Sequence, residues 1–236
     1  MKEIRKLYNR GLWVLAVAVI ALSIPSAHAT VLIPGGATAT AGTDFTADVG
    51  AQFLPDVKYT AAGGNQIQVK DALGNVTGTG DLVVGVYRSI LGGLDFVYQY
   101  KVTGGVTSDI ATLAVTNFTG WTTDVGFDTG APSANYAALA ATLPNNINRS
   151  GNGATVNFNF VPNIMAGGET VVLVVRVAEA RFAALIGSSG VIDNVTAAPV
   201  LSYQPTVPEP GSVGLLLGTL FGVGLFVARR FRVVQN

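Results

Sequence analysis

Few residues in this 236-residue chain have the type and spacing to do chemistry, and the sharpest string among them is Phe127-Asp128-Thr129-Gly130-Ala131. A carboxylate on such a turn activates water when a second carboxylate shares the site. The string occurs once, so a pair would need two copies of the chain pooling Asp128. The flanking Gly120-Trp121-Thr122-Thr123-Asp124-Val125-Gly126 reads as strand and turn, and Asp128 is expected to be a turn aspartate. Glycoside hydrolysis needs only two carboxylates at a set separation, but here they are scattered over loops and no pair stands out. Asp124 with Asp128, or Asp71 with Asn75, offer loop oxygens without the Asp-x-Asp-x-Asp-Gly run of a calcium loop. No metal and no cofactor are expected.

The remaining catalytic residue types are scarce. There is no cysteine, and the one histidine is His28. It leaves with a predicted signal peptide over residues 1–29: Lys2, Arg5, Lys6 and Arg10 precede an apolar core from Leu12 to Ile24, and Ala27-His28-Ala29 supplies the small-x-small pattern for cleavage between Ala29 and Thr30. What remains holds neither a Ser-His-Asp or Cys-His site nor a thiolate or imidazole metal site. The expectation is a protein that is not an enzyme, with a carboxylate-only hydrolase as an alternative.

The other terminus has three parts. Val207-Pro208-Glu209-Pro210 ends a stalk over 204–210, Gly211 to Ala228 is 18 residues without a charge, and Arg229, Arg230 and Arg232 follow in a basic tail over 229–236. The apolar run is at the lower edge of what crosses a hydrocarbon core about 30 Å thick. It predicts a single transmembrane helix, and the arginines predict a cytoplasmic C-terminus. Gly214, Gly218 and Gly222 add two overlapping GxxxG steps.

Subtracting the two ends changes the charge. Residues 30–207 keep seven of the 14 Lys+Arg and twelve of the 14 Asp+Glu, so the formal charge there is 7 − 12 = −5, against zero for the whole chain. An acidic domain has no electrostatic footprint for nucleic acid.

The elements that must position any site follow period two. In Leu94 to Thr103, Leu94, Phe96, Tyr98, Tyr100 and Val102 share one face, and Asp95, Gln99, Lys101 and Thr103 the other, predicting a half-buried strand. Ala154 to Val161 alternates likewise, with Val156, Phe158 and Phe160 inward and Thr155, Asn157 and Asn159 outward. Strands are also predicted at Leu82 to Arg88, Thr112 to Phe118 and Thr170 to Ala178, the last a central strand covered on both faces. Weaker candidates are Gln52 to Tyr59, Thr122 to Phe127 and Val191 to Tyr203. Gly92-Gly93 and Gly104-Gly105 read as links between sequential antiparallel strands. Short helices are expected at Ala134 to Thr142 and Glu179 to Ile186, and a flexible lead-in at 34–43. The fold class expected for residues 30–203 is all-β, an antiparallel β-sandwich or jelly roll.

Four Asn-x-Ser/Thr strings occur, at Asn75, Asn117, Asn148 and Asn194. Tyr87, Trp121, Tyr136 and Tyr203 are aromatics that could stack on sugar rings, with Trp121 the candidate for carbohydrate and core packing the expected use of most.

The tail, Pro-Glu-Pro then apolar span then arginine cluster, resembles the PEP-CTERM sorting signal of exported proteins in Gram-negative bacteria that make exopolysaccharide. The segment Leu82 to Phe127, with Tyr87-Arg88, Leu94 to Gln99 and Phe118 to Gly126, is similar to a stretch in β-rich PEP-CTERM proteins of unassigned activity. The resemblance implies export by signal peptidase, transient anchoring in the inner membrane, cutting by an exosortase, and delivery to the cell surface or extracellular matrix. The implied role is structural or adhesive, in exopolysaccharide or biofilm, with extracellular polysaccharide as a partner; the alternative is a carbohydrate-binding module. Asp128-Thr129-Gly130-Ala131 also resembles the Asp-Thr-Gly-Ala of aspartic proteases, with Leu185-Ile186-Gly187 in the place of their apolar-apolar-Gly.

Overall fold

A computed structural model describes residues 30–206 except 64, 71–72, 74, 105–109, 138–140 and 194–195. The predicted signal peptide with Ala27 and Ala29, the motif Val207 to Pro210, the apolar span 211–228 and Arg229, Arg230 and Arg232 lie outside the described residues. Among the described residues no helix is long and apolar enough to cross a membrane.

The fold is all-β. One sheet has seven strands: β1 (Thr43–Asp44), β2 (Val49–Tyr59), β3 (Ile67–Lys70), β4 (Val76–Ser89), β5 (Leu94–Gly104), β7 (Asp124–Asp128) and β10 (Val172–Val177). Its order is β1-β7-β10-β5-β4-β2, with β3 also pairing β4, and only β1 with β7 is parallel. The second sheet is antiparallel, with β6 (Ile110–Val115), β8 (Asn146–Arg149), β9 (Val156–Ile164), β11 (Phe182–Asp193) and β12 (Thr196–Thr206) in the order β12-β11-β6-β9-β8.

One apolar cluster draws on both sheets. Leu82, Phe96, Tyr98 and Leu173 come from the first, and Leu113, Ile147, Phe158 and Phe160 from the second. Phe96 meets Phe118 edge-on, with ring centroids 5.6 Å apart. The alternation in Leu94 to Thr103 and in Val156 to Phe160 thus reads out correctly on the core side. β10, Val172 to Val177, is buried at every position between β7 and β5, which is why its sequence is almost continuously apolar.

The outer face of the seven-stranded sheet departs from expectation. Asp95 and Gln99, placed on a solvent face by alternation, are buried, whereas Lys101 and Thr103 are exposed. Two segments cross that face and cover it. Gln99 donates to the Ala137 carbonyl at 3.0 Å and accepts from the Ala137 N–H at 2.8 Å, and Tyr136 packs with Val83, Tyr87, Val97 and Val172 in a second apolar cluster. From the other side Phe45 lies against Arg176.

Other expectations are corrected by pairing. Phe182 to Ile186, read as part of a helix, is strand, because β11 and β12 form one long hairpin. Ala134 to Tyr136, the start of the other expected helix, is turn and bend, and 138–140 lie outside the described residues. Val191 to Tyr203 is not one strand: it holds the end of β11 and most of β12. Gly92-Gly93 links β4 to β5 as predicted, both residues at positive φ, while Gly104 ends β5 and the next strand, β6, belongs to the other sheet. The lead-in is tied down: Thr38 N–H donates to the Ile147 carbonyl at 2.8 Å, and Ala37 bridges Asn148. Gln204 to Thr206, expected to start the stalk, complete β12 opposite Ala184 to Phe182.

Candidate functional site

The densest ionisable cluster is built on the covered outer face of the seven-stranded sheet. Arg176 is a lone charge in the run Val172 to Val177, and register places it beside Asp95 of β5 and Asp124 of β7. Its Nε donates to Asp95 Oδ1 at 2.7 Å and its Nη2 to Asp95 Oδ2 at 3.0 Å, while Nη1 reaches Asp48 Oδ2 at 3.2 Å. The guanidinium lies 4.2 Å from the centroid of the Phe45 ring. Burial works against the Arg176 charge, but Asp95 and Asp48 outweigh it and hold the group above its ordinary range. Burial also pushes the Asp95 carboxyl upward, against the pull of Arg176.

Asp128 sits at the end of β7 on the same face. Its Oδ1 accepts the Gly130 N–H at 2.6 Å, the local turn bond expected for a turn aspartate. Burial raises its carboxyl above the usual range. Asp124 is raised by burial as well, and its Oδ1 has no hydrogen-bond partner among the described residues. Asp95 is 0 % exposed and Asp128 3 %, so neither carboxylate is presented to a substrate in solvent. Leu185-Ile186-Gly187 lies on β11 of the other sheet. Among the described residues no three His, Cys, Asp or Glu side chains come together as metal ligands.

A second constellation fixes the covering segment. Asp56 of β2 accepts from Tyr87 Oη at 2.9 Å and Tyr136 Oη at 3.3 Å through one oxygen, and from Ser133 Oγ and Asn135 Nδ2, each at 2.7 Å, through the other. A Cβ at Gly85 would strike both Asp56 Oδ1 and Tyr136 Oη, so the close approach requires glycine. Burial, with Asp56 adding to it, raises the Tyr136 hydroxyl well above the tyrosine range.

The third is Arg149, buried with no carboxylate partner among the described residues. Its guanidinium donates to four carbonyls: Gly153 at 3.0 Å, Leu32 at 2.9 Å, Phe118 at 2.7 Å and Trp121 at 2.8 Å. It ties the N-terminal segment, the loop after β6 and the β8–β9 turn together. Burial lowers its pKa from the ordinary value.

The aromatic candidates divide. Tyr87, Tyr136 and Tyr203 are buried, and Tyr203 Oη donates to the Pro55 carbonyl at 2.7 Å. Trp121 is half-buried and leans on the main core. Of the Asn-x-Ser/Thr sites, Asn75 and Asn117 are exposed, Asn117 at φ +73°; Asn148 is half-buried on β8, and Asn194 lies outside the described residues. Thr30, the residue after the predicted cleavage, is part of the fold, its N–H donating to Thr43 Oγ1 at 3.0 Å. Sequence patterns gave no signal for Asp56 or Arg149. The one available clue to the Arg176 pair was a charge inside a strand expected to be covered on both faces.

No protein-family model matches the chain, and no curated protein or solved structure is significantly similar to it.

Proposed function

We propose that this chain is an exported, non-enzymatic protein of the cell surface or extracellular matrix, its two sheets stacked face to face as a β-sandwich. In this reading, signal peptidase cuts before Thr30 and an exosortase processes the tail at Val207-Pro208-Glu209-Pro210. The inner membrane anchors the protein through 211–228 until then.

The observation that supports it is the position of the last strand. β12 stays paired to β11 as far as Thr206, opposite Phe182, and the motif begins at the next residue. Proline lacks a backbone donor, so Pro208 and Pro210 cannot extend the ladder as donors. A processing enzyme then meets its motif directly at the border of the folded domain. The common apolar cluster, fed by alternate residues of both sheets, supports the sandwich.

Deleting Pro208 to Pro210 in a host with the sorting enzyme is the test. Fractionation should find the deleted form held in the inner membrane while the parent reaches the surface or medium. Equal release of both overturns the sorting claim.

A further inference from the structure

The face of the five-stranded sheet that points away from the core carries an ordered amide array. Two rows run across it, fixed by register. The first is Ala37, Asn148, Asn157, Ala114, Gly190 and Pro199, each paired with the next. The second holds Asn146, Asn159 and Thr112 on β8, β9 and β6. Alternate residues of those strands, Ile147, Phe158 and Leu113, are fully buried in the core, so the rows lie on the opposite side.

The amides are preset. Asn157 Nδ2 donates to Asn148 Oδ1 at 2.8 Å, Asn159 Nδ2 to Asn146 Oδ1 at 2.7 Å, and Thr112 Oγ1 to Asn159 Oδ1 at 3.0 Å. These bonds fix each side chain and use only part of its capacity. Among the described residues, Nδ2 of Asn146 and of Asn148 and Oδ1 of Asn157 have no other partner. All four asparagines are half-exposed. Neighbouring strands place row members about 4.8 Å apart, and the two rows are about 7 Å apart along the strands.

We propose that this face binds an uncharged glycan chain lying across the strands. Neither row carries a charge or an aromatic, which disfavours a protein partner, whose anchors are aromatic residues and arginine. The absence of a basic side chain in the rows removes the means of holding a polyanion, and the −5 formal charge of residues 30–207 repels one. Amides that both donate and accept suit a polymer of hydroxyl groups, and Ala37, exposed, and Ala114, half-exposed, keep the path flat. This site is separate from Trp121 and does not depend on the sorting reading.

Full-length protein in detergent, run through gels containing hydroxyethyl cellulose or alginate and pulled down on microcrystalline cellulose, tests it. The expected result is retardation and pull-down by the neutral glucans, insensitive to added salt, with no retardation by alginate. Asn148→Ala/Asn157→Ala should weaken neutral-glucan binding about tenfold, a change of about 1.4 kcal/mol. Ala37→Glu, at an exposed position outside the amide bonds, should block the row if the double variant does not fold, and Trp121→Ala should leave binding unchanged. No binding to neutral glucans, or binding that survives both face variants, overturns the proposal. So does a face variant that alters only the oligomeric size, which would assign the face to a second copy of the chain. Because binding is measured on purified protein, its failure is distinct from failure of the Pro208–Pro210 deletion test.

Discussion

Arg176 and Asp95 meet as a two-point ion pair between adjacent strands, at 2.7 and 3.0 Å, on the side of the seven-stranded sheet away from the main core. Such a pair is normally left to solvent. Here Phe45 and the segment leading into β2 seal it, with Asp48 as a third partner. Removing one member leaves a buried charge without compensation, which costs about 3–5 kcal/mol. Arg176→Ala should therefore lower the denaturant midpoint sharply, while the paired exchange Arg176→Met/Asp95→Leu should recover most of the loss. Urea unfolding of the three proteins checks both.

Asp124 and Asp128 give the fold a dependence on pH with a definite sign. Burial raises both carboxyls, so the folded protein holds their protons more tightly than the unfolded chain. Their contribution is fully present below the unfolded value of about 3.9 and is lost as the pH climbs through the higher folded values. Asp124→Asn should stabilise the protein at pH 7, by about 1 kcal/mol given the unpartnered Oδ1. The gain should shrink towards pH 4, which unfolding curves at the two pH values will show.

Arg149 should tolerate no substitute. One guanidinium serves four carbonyls, of which Phe118 also takes the Trp121 N–H and Leu32 the Thr123 hydroxyl, and the three donors of a lysine ammonium, on a compact head, cannot span all four. Arg149→Met should destabilise by about 2–4 kcal/mol, with Arg149→Lys recovering less than half. Thermal unfolding measures the difference.

Asp56 is the latch of the covering segment. Asp56→Ala removes the acceptor of four donors at once, and we expect a loss of about 2–3 kcal/mol. Hydrogen exchange separates this from a general loss of stability. Amides near Ser133 to Ala137 should open first, with β9 and β10 protected until global unfolding.

Gly126 tests the parallel edge. A Cβ there would strike the Thr43 carbonyl, so Gly126→Ala should push β1 off β7. The expected signature is faster exchange of the Phe45 amide, which donates to the Phe127 carbonyl at 2.7 Å.

How much of this was legible beforehand depends on distance along the chain. Alternation in Leu94 to Thr103 and Val156 to Phe160 is a local property, and it marked the core side correctly. The same alternation misassigned Asp95 and Gln99, because their partners and cover lie about 40 to 80 positions away: Ala137 over Gln99, and Phe45 and Asp48 over the Arg176–Asp95 pair. Phe182 to Ile186 suggests a helix when taken alone, and only its pairing with Gln204 to Thr206 across the hairpin makes it strand. Asp56 and Arg149 bond to groups from several loops, and no periodicity encodes such convergence.

By itself the sequence determined the all-β character, the acidic balance of the middle, the lack of cysteine, and the two terminal patterns that motivate export. These follow from composition and from period-two or continuous apolar runs, which each stretch of chain carries alone. Only the tertiary structure decided that β5 is covered on both faces as far as Tyr100, that Arg176 and Arg149 are buried, and that asparagines from β8 and β9 align into rows. The physical reason is that burial and register depend on which segments come to lie side by side, and that is fixed by pairing across the whole chain.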